Sequence, residues 1–146
     1  MRGSRELAFF LPAVGVFVAD QLSKAWIRQN IAVGESVPID APLRFTHVSN
    51  AGGAFGFTAN PIFLALLNAG VLIILLLFYR RLASLALRTG LGLILGGGLG
   101  NLVDRVRMGY VTDFMDVRIW PIFNVADSAV VCGSIIILYL IFRGKV

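Results

Sequence analysis

The stretch GGGLGNLVDRVRMGYVTDFMDVRIWPIFNVAD, Gly96–Asp127, decides how this chain is read. It carries four of the eight acidic residues (Asp104, Asp113, Asp116 and Asp127) and three arginines, yet it joins two strongly apolar runs. Carboxylates beside a hydrocarbon phase are expensive, and a cluster of them there points to function. Two carboxyls brought close together cannot both ionise, so one keeps a proton as acid while the other serves as base. The first reading of the stretch is therefore acid–base chemistry at a membrane boundary.

The composition around it agrees. Of 146 residues 58% are hydrophobic and 14% charged, and the mean hydropathy is +0.84. Apolar runs of about 20 residues, long enough to cross a bilayer, occupy more than half the chain. A single cysteine, Cys132, excludes an internal disulfide and a cysteine-based zinc site. A single histidine, His47, excludes His-rich metal motifs and argues against a His-based triad. No metal and no cofactor is expected.

Four spans are expected, at roughly 6–27, 61–79, 85–103 and 122–142. The first follows a short basic start, MRGSRE, as a signal peptide would. Its apolar core is long, however, holds Asp20 and Lys24, and is followed by no small-residue cleavage signal, so it reads as a retained helix. The connection 28–60 contains SVPIDAPLRFTHV, whose loose alternation of Val37, Ile39, Leu43 and Phe45 predicts short strands lying on the membrane surface. The second span opens on Pro61, a favourable first-turn residue, and only Asn68 interrupts it. In the third, Gly92, Gly96 and Gly100 recur every four residues, a spacing that lets helices approach closely. The phosphate-loop alternative lacks a following Lys-Ser/Thr pair. The fold class is thus an α-helical integral membrane protein: one domain over 1–146, with four transmembrane helices and a small extracytoplasmic β-containing surface element between helices 1 and 2.

Charge sets the expected topology. The terminal segments and the 80–90 turn hold Arg2, Arg5, Arg80, Arg81, Arg88, Arg143 and Lys145 against Glu6 alone, while the opposite side holds the Asp cluster. The positive-inside rule places both termini in the cytoplasm and the cluster outside. The net charge of +5 is then a topology signal, and nucleic acid is not an expected partner.

Asp113, in VTDF, and Asp127, in FNVAD at the start of the last span, are the candidate catalytic pair. Asp127 lies in a first helical turn, where N–H groups and the dipole favour negative charge, so it is expected to be the ionised member. Helix capping is its plain structural alternative. Asn124 stands three residues before Asp127, placed to orient it. Asn101, Asp104 and Arg105 share one face at the end of the third span. Asp104 is expected to pair with adjacent Arg105 and to play a supporting role. Asp20 and Lys24, at i and i+4, are expected to neutralise each other as a helix anchor. Asn50 lies in a glycine-rich loop whose backbone could bind an extended peptide, and an ordinary turn asparagine is the equal alternative. His47 reads as an exposed loop residue, and Asp116 with Arg118 as a solvated face.

Together these segments resemble the bacterial lipoprotein signal peptidases (signal peptidase II). The resemblance rests on DQLSK at Asp20–Lys24, NAGGAF at Asn50–Phe55, GGGLGNLVDR at Gly96–Arg105, GYVTDF at Gly109–Phe114 and FNVAD at Phe123–Asp127, in the family's order. It implies an aspartic endopeptidase of the bacterial cytoplasmic (inner) membrane acting on diacylglyceryl-modified prolipoproteins, cutting just before the lipidated cysteine. By motif position Asp113 and Asp127 correspond to the catalytic pair. Asn50, Asn101, Arg105 and Asn124 correspond to substrate-holding or supporting residues, and Asp20, Lys24 and Asp104 to structural or supporting ones. The resemblance further implies binding of the cyclic peptide globomycin, contact with membrane lipid and a monomeric enzyme. The segment between Asp113 and Asp127 is shorter than the family leads one to expect. A small proton-coupled transporter or channel is the alternative, but a relay would spread its acids along the spans. A non-enzymatic assembly protein would leave the motif-bound aspartates unexplained.

Overall fold

A computed structural model describes residues 2–52, 60–81 and 84–144. Four helices, α1 (Arg2–Asn30), α2 (Pro61–Phe78), α3 (Leu85–Met108) and α4 (Val125–Phe142), and three strands, β1 (Ser36–Val37), β2 (Arg44–Asn50) and β3 (Val111–Asp116), follow in the order α1-β1-β2-α2-α3-β3-α4. Each helix is long and apolar enough to cross a membrane. The helix ends obey local chemistry. Asn60 caps α2 by accepting from the N–H of Ile62, with Pro61 in the first turn. α3 stops at Gly109, whose φ of 78° is left-handed and whose N–H returns to the Arg105 carbonyl. α4 opens on a reciprocal box, the Asn124 side chain accepting from the Asp127 N–H while the Asp127 carboxyl accepts from the Asn124 N–H. That box sets the start of α4 at Val125, three residues later than the expected 122, whereas α3 continues past the expected 103 to Met108.

α3 is the axis of the bundle. A Cβ at Gly92 or Gly96 would run into the carbonyl oxygens of Phe9 or Ala13 on α1, and one at Gly100 into the Asp20 carboxyl. The glycine repeat therefore does serve helix packing. A second set, missed in the sequence, does the same toward α4: Gly97 faces the Ala126 carbonyl, and Gly133 of α4 faces that of Gly90. α2 leans mainly on α3, with Leu72 and Leu75 buried in a cluster with Leu95 of α3, Tyr79, and Phe9 and Ala13 of α1. Its other face, including Leu66, Ile73 and Leu77, is exposed, as a lipid-facing helix requires.

The strands form one antiparallel sheet in the order β1-β2-β3. β1 and β2 lie in the expected place between α1 and α2, but the third strand comes from the segment after α3, and it carries Asp113. Val48 pairs with Asp113 and Asn50 with Val111, with an irregularity between Phe45 and Val48. Ile27 and Ile31 at the end of α1 pack on Phe114 and seat the sheet on the bundle.

Two expectations fail here. His47 is 4% exposed; its Nδ1 lies 2.7 Å from the Ile31 carbonyl, tying the sheet to the end of α1. Asp116 is equally buried, accepting from Arg44 Nε at 2.6 Å and Thr46 Oγ1 at 2.9 Å. The Arg44 bond holds its carboxyl below the usual carboxylate range. Both residues look polar and loop-like in sequence, and strand pairing is what buries them. Arg118, by contrast, does not pair with Asp116 through its guanidinium, which donates to the carbonyls of Ile39 and Ala41.

Candidate active site

Asp113 sits on β3 and Asp127 in the first turn of α4, and both line one cavity of about 650 Å³. Three asparagines hold the pair. Asn124 Nδ2 donates to Asp113 Oδ1 at 2.7 Å, and Asn50 Nδ2 donates to Asp113 Oδ2 at 2.8 Å. Asn101 Nδ2 donates to Asp127 Oδ1 at 2.8 Å, and the backbone N–H of Asn124 reaches Asp127 Oδ2 at 3.1 Å. Each of the four carboxylate oxygens thus accepts one N–H, which fixes both groups while leaving lone pairs free for a proton and a water. Asn124 was expected to orient Asp127 through its amide. Its backbone N–H is what holds the Asp127 carboxyl; its amide oxygen accepts from the Asp127 N–H, and its NH₂ goes to Asp113.

Burial pushes the Asp113 carboxyl up to about 6, with the charge of Asp127 adding to the effect and the bonds from Asn50 and Asn124 opposing it. A group near this value exchanges its proton readily at neutral pH, as a general acid must.

Behind the pair lies a buried ionic knot. Lys24 Nζ touches Asp20 Oδ2 at 2.8 Å, Asp104 Oδ2 at 2.9 Å and Asn101 Oδ1 at 2.9 Å, using all three ammonium hydrogens. The expected Asp20–Lys24 pair is present, but it does more than anchor α1. Asp20 Oδ1 accepts from the Ala126 N–H at 2.9 Å and so caps α4. Lys24 pins the Asn101 oxygen, turning its NH₂ toward Asp127. Asp104 does not pair with Arg105, because adjacent helical residues point in different directions. Its partners are Lys24 and, at 3.9 Å, Arg28, and it accepts from the Thr112 N–H at 3.3 Å, supporting the strand that carries Asp113. Arg105 turns instead into the cavity, with one Nη2 bond of 3.5 Å to the Gly52 carbonyl. Gly52 in turn donates its N–H to Asn50 Oδ1. The remainder of the glycine-rich segment expected to bind peptide, 53–59, lies outside the described residues.

The cavity runs from the carboxyls down between α2 and α4, with apolar flanks formed by Leu64, Leu67, Val71, Val130 and Val131. Trp120, Pro121, Ile122 and Phe123 overhang it from the β3–α4 connection. Among the described residues no group of three or more His, Cys, Asp or Glu side chains is placed to hold a metal ion.

Two carboxyls converging on a cavity inside a membrane-spanning bundle, one of them with its proton affinity raised, define an arrangement suited to an aspartic peptidase of the membrane. The comparisons with known proteins point the same way. The sequence model of the signal peptidase (SPase) II family matches residues 12–143. The lipoprotein signal peptidase of Moorella thermoacetica is 48% identical over 138 residues, covering 91% of each chain. That of Halothermothrix orenii is 42% identical over 135 residues, covering 90% of this chain and 93% of its own. A bacterial membrane enzyme solved by the in meso method at 2.3 Å superposes with a TM-score of 0.85 at 33% identity, over 91% of this chain and 86% of that one. A second, solved at 1.9 Å, gives 0.82 at 34% identity, over 90% of each. The chain belongs to the signal peptidase II family, and it is a multi-pass membrane peptidase of the aspartic type.

Proposed function

We propose that this enzyme removes the signal peptide from diacylglyceryl-modified prolipoproteins, cutting N-terminal to the lipidated cysteine, with Asp113 and Asp127 as the catalytic dyad. The observation that carries this reading is the asparagine cage around two carboxyls at the mouth of a cavity with apolar flanks, in a chain of this family. Asp127, in a first turn where helix N–H groups and the dipole favour an anion, takes a proton from water. The resulting hydroxide adds to the scissile carbonyl carbon while Asp113 gives its proton to the carbonyl oxygen. The tetrahedral intermediate collapses as Asp127 returns its proton to the leaving amine nitrogen, the C–N bond breaks, and Asp113 recovers its proton from the diol oxygen. Arg105 and Asn50 line the path of the peptide at the mouth of the cavity. The flanks between α2 and α4 accept the apolar part of a substrate arriving from within the bilayer.

In this reading the enzyme works as a monomer in the bacterial cytoplasmic membrane, with both termini in the cytoplasm. The site faces the extracytoplasmic side, as the charge distribution favours, and the dyad is where a cyclic peptide such as globomycin binds. The test is cleavage of a purified prolipoprotein with and without its diacylglyceryl group, followed by mass spectrometry. Cleavage before cysteine in the lipidated form alone is expected. Equal cleavage of both forms, or cleavage elsewhere, would reject the substrate assignment.

A further inference from the structure

Asn68 is the one polar residue in the apolar span α2, and it faces the cavity. Its Nδ2 donates to the Gly98 carbonyl of α3 at 2.9 Å, which accounts for half of the amide. No group among the described residues donates to its Oδ1, which lies beside Gly98, and both residues line the cavity. Gly98 precedes Asn101 by three residues on α3, about 4.5 Å along the axis, so this acceptor stands one helical turn deeper in the membrane than the dyad.

We infer that Asn68 is a substrate-binding residue whose Oδ1 accepts a backbone N–H of the signal peptide, one or two residues upstream of the cleaved bond. The inference rests on the peptidase reading above. The chemistry selects the peptide over the lipid: a diacylglyceryl thioether carries ester acceptors but no donor, so of the two parts of the substrate only the peptide can donate to a carboxamide oxygen. A substrate stretched across the dyad exposes N–H groups that no helix satisfies, and in a hydrocarbon setting each unpaired group is costly. An extended chain advances about 3.3 Å per residue, which matches the depth of Asn68 to the first or second residue before the cut. The Nδ2 bond to Gly98 fixes the amide's sense and so which of its ends is left to accept.

The test is a double-mutant cycle combining Asn68→Leu, of similar size and without the acceptor, with lipidated substrates in which one of those amides is replaced by an ester. In the wild type, the ester at one position should raise KM about tenfold, the worth of a lost neutral hydrogen bond, with kcat little changed. Asn68→Leu should raise KM similarly for the all-amide substrate, and the two changes together should cost no more than either alone. Asn68→Asp, which in its protonated form keeps both donor and acceptor, should restore near-normal KM. Independent, multiplying effects would overturn the inference, as would a wild type indifferent to every ester, a result that needs no variant to fold. Loss of cleavage in Asp113→Asn alongside such indifference would leave the peptidase reading standing and reject this one alone.

Discussion

Replacing Asp113 by Asn should change the pH dependence of stability by an amount the site itself sets. In the unfolded chain an aspartate releases its proton near the ordinary value of 3.8, whereas in the fold burial moves Asp113 to about 6. Between those values the folded protein binds a proton that the unfolded chain has lost, so wild-type stability falls as pH rises through the window and stays lower above it. The gap corresponds to about 3 kcal/mol. Asparagine has no proton to release, so the variant lacks this dependence. It does lose something at every pH: a carboxamide has one acceptor oxygen where the carboxylate accepts from both Asn50 and Asn124, at a cost of about 1–3 kcal/mol. That offset is nearly constant, so the difference between the two proteins should swing by about 3 kcal/mol in the variant's favour between acid and mildly alkaline pH. For a chain of this size the swing is roughly 6–12 °C in the unfolding midpoint. Thermal unfolding of both proteins in detergent across that range measures it. A difference that stays flat would show that Asp113 is not a buried carboxyl of raised proton affinity, and the acid role given to it would fall.

Gly97→Ala drives a Cβ into the Ala126 carbonyl and should cost about 1–3 kcal/mol. Gly15→Ala, where nothing lies within 4 Å, should be neutral or slightly stabilising, and the two midpoints compared directly give the answer. Lys24→Met leaves Asp20 buried without a cation and Asp104 with Arg28 alone, at 3.9 Å, and should cost about 3–5 kcal/mol, read as loss of folded protein from membranes. The triple variant Asp20→Asn/Lys24→Met/Asp104→Asn should recover part of it. Because Arg44 holds the Asp116 carboxyl low, this pair's contribution is present above the ordinary carboxylate value and is lost as pH falls through the depressed one. Arg44→Gln should therefore weaken the protein near neutrality, by about 1 kcal/mol, and make it less sensitive to acid in the same unfolding assay.

What the sequence disclosed was what local rules govern. Apolar length located the four helices, the i, i+4 spacing paired Asp20 with Lys24, and the i, i+3 spacing of Asn124 and Asp127 put those two within reach of each other, although their capping box starts α4 three residues after the expected 122. What it concealed depends on contacts between distant residues. Lys24 reaches Asn101 across 77 positions and Asn50 reaches Asp113 across 63, and no periodicity reports either. The third strand escaped notice because VTDFMD is covered on both faces and so lacks the alternation of a half-exposed strand. His47 and Asp116 were misjudged for the same reason: polarity suggests exposure unless the strand that buries the residue is known. For Asp104 the adjacent Arg105 suggests an ion pair, whereas helical geometry sends the carboxyl to the distant Lys24. Asn68 did leave a signal, a lone amide in an otherwise apolar span, but its orientation toward the cavity needed the packing of α2 on α3.

The central claim is that Asp113 and Asp127 together activate water. Its most direct test is single-turnover cleavage of a diacylglyceryl-modified prolipoprotein by purified wild type, Asp113→Asn and Asp127→Asn, with folding of each variant checked by its unfolding midpoint. Both variants should remain folded and lose cleavage by at least about a hundredfold, the scale of a lost acid or base. A folded variant of either kind that still cleaves at near the wild-type rate would contradict the dyad.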